Sequence, residues 1–253
     1  MSDPIQVTTQ NHIATVSINR PDQSNALDRD AWAALGDSMA RLAAMPDIRA
    51  VLLTGKGRHF CAGDDLKRSE LKLGGEKAEQ YSALINQAYS SIQSAPFPVI
   101  AVIQGACLGA GLSLALFCDF RFGSDNAMLG VPAAPLGDYY PHRLCQYLAR
   151  YVGVDFARRM LFTGQRVSGT DAYRVGLLSG LSTDPEQQAL ELARQIADNA
   201  PLTVQSLKAS LQAEYFQENP AVEALIEQVK ASSDRQEGVQ AFVEKRRPVF
   251  TGK

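Results

Sequence analysis

Apolar and polar positions alternate from His12 to Asn19, which is the period of a half-buried strand. A helical period follows from Asp30 to Ala44, and the short apolar run Ala50 to Thr54 predicts a buried strand. The pattern then repeats: an amphipathic helix over Lys77 to Ser94, a strand over Val99 to Gln104, a helix over Leu112 to Cys118 and a strand over Asp119 to Phe122. Such alternation predicts an α/β protein with crossover connections. Past Gly137 the strand signals nearly vanish. Pro185 and Pro201 stand where helix starts favour proline, and Glu186 to Lys245 reads as helical, broken at Pro201, Pro220 and Gly238. The expected organisation is an α/β core over 1–195 and a helical C-terminal lobe over 196–253, without repeats or long linkers.

Val99 to Cys118 carries no charged residue, and that length would suit a membrane span. Gly105, Gly109 and Gly111 interrupt it, and Asp119 and Arg121 follow at once, so a buried strand joined to a buried helix explains it better. The join itself carries candidate chemistry. Glycine lets backbone approach a ligand closely, and the first free N–H groups of a helix carry partial positive charge. The turn from Gly105 to Ser113 is therefore a candidate for holding negative charge on a bound oxygen. Its glycine spacing departs from G-x-G-x-x-G, and Asp125 follows a helix too short for a dinucleotide crossover.

Composition narrows the partner. The 253 residues are 45% hydrophobic with a net charge of −2, enough for a sizeable core and without the field that gathers nucleic acid or an anionic membrane. A small molecule is expected. Cys61, Cys107, Cys118 and Cys145 show no C-x-x-C spacing, and no signal-peptide pattern precedes the first strand, which predicts a reduced, cytoplasmic protein. His12, His59 and His142 form no ligand motif, so no metal site is expected.

Two further segments give the chain a likeness: His59-Phe60-Cys61-Ala62-Gly63-Asp64-Asp65-Leu66, and Gly130-Val131-Pro132-Ala133-Ala134-Pro135-Leu136-Gly137. The first resembles the F-C-A-G-x-D-L loop of the crotonase (enoyl-CoA hydratase/isomerase) superfamily, and Gly105 to Ser113 resembles that family's glycine turn and helix. Ser24-Asn25-Ala26-Leu27, Asp119, Leu161-Phe162-Thr163-Gly164, Gly176-Leu177-Leu178 and Glu237 to Arg246 fall in the family's order, so the resemblance spans nearly the whole chain. It implies a spiral of ββα units with a helical lobe for oligomerisation, as a homotrimer or a hexamer. It also implies an acyl-CoA thioester as substrate, with coenzyme A as part of it and no separate cofactor, in a setting such as fatty acid metabolism. The thioester oxygen would lie in an oxyanion hole made by the amides matching Asp64 and Ala110. Ser24, Ala26, Ala62, Gly63 and Gly109 would line the substrate, and Phe242 and Lys245 of a neighbouring subunit would meet the adenine end.

The chain departs from the family's hydratases where two glutamates are expected, because those places hold Ser113 and Ala133. Losing acid–base help typically costs roughly 10² to 10⁴-fold in rate. Substitutes are sought in the loop Gly137 to His142, from Asp138, Tyr140 and His142. Tyr140 resembles the tyrosine of the L-G-x-x-Y pattern in the family's methylmalonyl-CoA decarboxylase. Asp64 poses a separate problem, since like charges about 4 Å apart repel by about 4 kcal/mol at an effective dielectric of about 20. Its carboxylate must point away from an enolate, be neutralised, or act as the base, the option slightly preferred; Asp65 reads as structural. Lys56, Arg58, Lys67 and Arg68, or Lys245, Arg246 and Arg247, are candidates for the CoA phosphates. The acyl group depends on loop geometry such as that of Ser69 to Gly75. The leading expectation is an acyl-CoA enzyme of this family, a lyase or an isomerase, without the glutamate pair. Decarboxylation, hydrolysis and a silent acyl-CoA-binding protein are the alternatives.

Overall fold

The computed structural model describes residues 3–71, 74–213 and 219–253. Strand β1 (Ile5–Gln10) pairs antiparallel with β2 (Ile13–Ile18). Beyond β2 the sheet continues in parallel through β3 (Ala50–Gly55), β4 (Val99–Ile103), β6 (Phe120–Gly123) and β9 (Gly180–Leu181), giving the order β1-β2-β3-β4-β6-β9. A second sheet joins β5 (Ala106–Leu108), β7 (Met128–Gly130) and β8 (Val167–Ser168). The α/β class follows the alternation of the sequence. Strands β1, β5, β7, β8 and β9 have no counterpart among the predicted elements; four of these five are two or three residues long and display no period.

Period-2 alternation gives the main sheet two dry faces. Ile13, Ala50, Leu52, Ile100, Val102 and Phe122 point to one side, where Ala189, Ala193 and Ala197 of α8 (Pro185–Ala197) cover them. Val51, Leu53, Val99, Ala101 and Ile103 point to the other, against α1 (Arg29–Ala43), α2 (Gly75–Gln93) and α3 (Ala110–Phe117). The position dividing the expected core from the expected lobe, 195/196, thus falls inside a helix that is packed on the sheet. Helix α1 starts where the Asp28 carboxylate accepts the Ala31 N–H at 3.2 Å. Every residue of α3 after Ala110 is buried, which accounts for its lack of polar periodicity.

Helices α4 (Ala133–Leu136), α5 (His142–Val152) and α6 (Val154–Thr163) lie between β7 and β8 in the chain, and α7 (Gly169–Arg174) follows β8. After α8 come α9 (Pro201–Gln212), α10 (Pro220–Ala231) and α11 (Ser233–Glu244). The expected helical run Glu186 to Lys245 includes residues 214–218, which lie outside the described ones. Lys208 on α9 pins this region to the core, donating to Asp119 Oδ2 at 2.8 Å and to the Phe97 carbonyl at 2.9 Å. Among the described residues no helix is long and apolar enough to cross a membrane.

Candidate active site

The loop after β3 is tied down on both sides of Asp64. Leu27 N–H donates to the Gly63 carbonyl at 2.9 Å, and Asp65 N–H donates to the Leu27 carbonyl at 2.8 Å. Successive amides in such a bridge face opposite ways, so the Asp64 N–H is directed away from Leu27. The glycine turn is bound to the same loop: Cys61 N–H donates to Ala106 O at 2.9 Å, and Leu108 N–H donates to Cys61 O at 3.0 Å. Two glycines allow the approach. A Cβ at Gly63 (φ +112°) would stand 2.9 Å from the Leu108 carbonyl oxygen and 3.5 Å from the Ala110 nitrogen, and one at Gly111 would stand 2.2 Å from the Cys61 carbonyl. The amides of Asp64 and Ala110 stand on these two joined turns, and neither donates a hydrogen bond to another described residue.

The two turns form the floor of a cavity of about 340 Å³. Its walls include Leu71, Ile85, Val131, Leu136 and Leu144, and no Lys, Arg or His lines it among the described residues. Ala62, Gly63, Asp64, Gly109, Ala110, Asp138 and Tyr140 all line it, so seven predicted site residues converge here. Ser113 and Ala133, which stand where hydratases carry glutamate, line it as well. Ser113 Oγ hydrogen-bonds the Tyr140 hydroxyl at 2.9 Å and donates to the Gly109 carbonyl at 3.2 Å. Burial pushes the Tyr140 hydroxyl above the ordinary phenol range, and the Ser113 contact offsets only part of that. Tyr140 therefore keeps its proton at neutral pH. Tyr89, buried in the wall behind Ser113, is held neutral by the same desolvation.

The Asp64 side chain leaves the floor toward α1 and α2. Its Oδ1 accepts from Trp32 Nε1–H at 3.0 Å and from the Tyr81 hydroxyl at 2.6 Å, while Oδ2 is buried with no hydrogen-bond partner. Trp32 and Tyr81 have 0% exposure. Burial, followed by the hydrogen bond to Asp64, raises Tyr81 well above its usual range, so it serves as a donor. Neither residue was singled out in the sequence, where each reads as the apolar face of an amphipathic helix; only the fold brings them to residue 64. Asp65 occupies a scaffold instead: Arg20 meets Asp28 at 2.7 Å and Asp65 at 3.2 Å, and Arg68 meets Asp28 at 3.1 Å.

Other candidates lie elsewhere. His142 is exposed at the start of α5, outside the cavity lining. Asp138 sits at the mouth, where its carboxylate accepts the Tyr139 N–H at 2.8 Å. Ser24 supports the loop by accepting the Ala62 N–H at 3.0 Å, and Ala26 accepts from Arg20; neither lines the cavity. Phe242, 86% exposed, and Lys245 stand on and just after α11, also away from it. Arg58 faces a second cavity of about 530 Å³ with His59 and Arg166, Arg246 pairs with Glu237 and Glu244, and Arg247 pairs with Asp198. Of the loop Ser69 to Gly75, residues 72 and 73 lie outside the described ones.

The family model of enoyl-CoA hydratase/isomerase matches residues 8–253. The chain belongs to the enoyl-CoA hydratase/isomerase family. It is 34% identical to (E)-benzylidenesuccinyl-CoA hydratase of Thauera aromatica over 98% of this chain and 99% of that one. With 2,3-dehydroadipyl-CoA hydratase of Escherichia coli (strain K12) it shares 32% identity over 98% of each. The crystal structure of an enoyl-CoA hydratase from Bacillus anthracis superposes with a TM-score of 0.90 at 32% identity, over 99% of this chain and 100% of the other. This enoyl-CoA hydratase/isomerase family member is accordingly an enzyme that processes acyl-CoA.

Proposed function

We propose that the enzyme stabilises a thioester enolate, with the carbonyl oxygen held between the amides of Asp64 and Ala110. The observation that carries this reading is that two amides on joined turns at the floor of a largely apolar cavity have no hydrogen-bond partner among the described residues. Ala110 opens α3, so the helix dipole adds to its N–H, and burial strengthens both hydrogen bonds. One such donor typically supplies about 3 to 4 kcal/mol of transition-state stabilisation.

The proton-transfer group on the facing wall is the Ser113–Tyr140 hydroxyl pair. Tyr140 retains its proton, so it gives one rather than takes one, which suits protonation of an enolate already formed. Loss of CO2 from a thioester bearing an α-carboxylate forms such an enolate without a base. The bond from the α-carbon to the carboxylate breaks, its electron pair passes into the thioester, and CO2 leaves. A proton from Tyr140, restored from solvent, then completes the α-carbon. The described wall, which has no Lys, Arg or His, favours this step by leaving the substrate carboxylate poorly solvated.

Hydration is the second reading, supported by the relatives named as hydratases. It asks for acid–base groups where Ser113 and Ala133 stand. Incubation with malonyl-CoA, methylmalonyl-CoA and crotonyl-CoA in deuterated water, followed by mass spectrometry, separates the two. Decarboxylated thioester carrying one deuterium at the α-carbon is expected, with Tyr140→Phe slower by roughly 10² to 10⁴-fold. A hydrated product from crotonyl-CoA alone would reverse the order of the readings. Tight binding with no turnover on any thioester would make the chain a silent acyl-CoA-binding protein. The exposed Val239, Phe242 and Val243 on α11 support the trimer or hexamer in which Phe242 and Lys245 reach a neighbour's adenine site.

A further inference from the structure

Asp64 is an unusual residue to place at an amide that faces a developing negative oxygen, because its own side chain carries the wrong charge. The structure shows how that charge is handled. The carboxylate is turned from the cavity floor into the seam between α1 and α2, and its Oδ1 takes both the Trp32 indole N–H and the Tyr81 hydroxyl. Both donors are buried, neutral and anchored in the core. Trp32 stacks edge-on against Tyr89 at 5.5 Å, and Tyr81 lies where its hydroxyl also reaches toward the Leu27 carbonyl, 3.5 Å away. Oδ2 has no partner, so the grip on the side chain comes from Oδ1 alone.

Building on the enolate reading, we infer that Trp32 and Tyr81 are positioning residues that act through the Asp64 side chain to aim the Asp64 amide at the thioester oxygen. The main chain on either side is fixed by the Leu27 bridge, at Gly63 O and Asp65 N–H. The Leu27 bond to Gly63 O sets the line of the planar peptide before Asp64, and the side chain held from α1 and α2 keeps that peptide from rocking about it. Neither residue lines the cavity, so neither touches substrate. An oxyanion donor works only when its direction is set before the charge appears. The bridge and the grip together supply that, and the grip also keeps the carboxylate away from the enolate.

The test uses the full chain and a thioester that is not turned over, butyryl-CoA labelled with ¹³C at its carbonyl. Its carbonyl stretch reads hydrogen bonding to that oxygen by infrared difference spectroscopy, and calorimetry gives its Kd. In the parent the bound stretch falls to lower frequency than in water. Trp32→Phe and Tyr81→Phe each lose a large part of that shift, with Kd within about threefold and kcat down roughly tenfold or more on the substrate found above. Asp64→Asn, which keeps an acceptor oxygen for both donors, retains more of the shift than Asp64→Ala. Tyr81→Phe adds no further loss in the Asp64→Ala background, since its effect passes through that side chain. Parental shift and kcat in both single variants, or additive losses in the double variant, would overturn the inference while leaving the enolate reading intact. Equal collapse of Asp64→Asn and Asp64→Ala would overturn it too, by making the carboxylate itself the working group. An unshifted carbonyl in the parent would instead remove the enolate reading, and this inference with it.

Discussion

Gly63 shows how narrow the tolerances at the floor are. A methyl group there would crowd the Leu108 carbonyl at 2.9 Å in a backbone conformation, φ +112°, that L side chains rarely adopt. It would also stand 3.5 Å from the Ala110 nitrogen, in the space proposed for the thioester oxygen. Gly63→Ala is expected to cost about 1–3 kcal/mol of stability through backbone strain. Thioester binding should fall further than that loss explains. Chemical denaturation and acyl-CoA titration check the two separately, and a variant of parental affinity would show that the oxygen sits elsewhere. Much of this floor was legible in the residues: the glycines, Asp64, Ala110 and Tyr140 come from short motifs and converge on one cavity. Trp32 and Tyr81 were not legible, because nothing in a helical period distinguishes a core aromatic from one that spends its polar atom on a loop.

The elements carry a second lesson in the pairing of Lys208 with Asp119. The lysine comes from α9 and the aspartate from the link between α3 and β6, with side-chain exposures of 6% and 20%. Asp119 also accepts the Val99 N–H at 2.8 Å, so one carboxylate joins α9, the α3–β6 link and β4. Removing one partner of a buried pair leaves the other charge stranded, which typically costs about 3–5 kcal/mol, and the low end applies at a carboxylate one-fifth exposed. Lys208→Met is expected to lower the thermal midpoint by several degrees with little change in acyl-CoA affinity. A midpoint within one degree of the parent, on the order of the measurement's precision, would rule the pairing out as a stabilising one. Asp119 entered the sequence reading as the charge ending an apolar run, as the start of a strand and through the family's order, none of which names a partner. Its partner lies 89 positions away, beyond the reach of any local period. The short strands were missed for a related reason: β8 and β9, of two residues each, are defined by their neighbours rather than by their own pattern.

At the scale of the molecule, the four cysteines record how closed the core is. Cys61, Cys107 and Cys118 are buried and Cys145 is intermediate. Desolvation pushes the thiols of Cys61 and Cys118 up to about 12. Thiol reactivity follows the thiolate, which is scarce several units below the pKa. At pH 8 a thiol reagent is expected to modify Cys145 first, and the other three at the rate of unfolding. Fast labelling of all four would mean that the core opens around the cavity floor. Cys61 sits in that floor's own loop, and its carbonyl holds the Leu108 N–H, so its slow reaction would report the integrity of the two joined turns.

Trp32 is the single tryptophan of the chain. It donates to Asp64 on one side and meets Tyr89, a wall of the cavity, on the other. Excitation at the red edge of protein absorbance would select one emitter, seated behind the reaction space and shielded from water. Its fluorescence is thus a label-free optical gauge of occupancy, by which ligand entry, departure and rearrangement of the seam could be followed in real time.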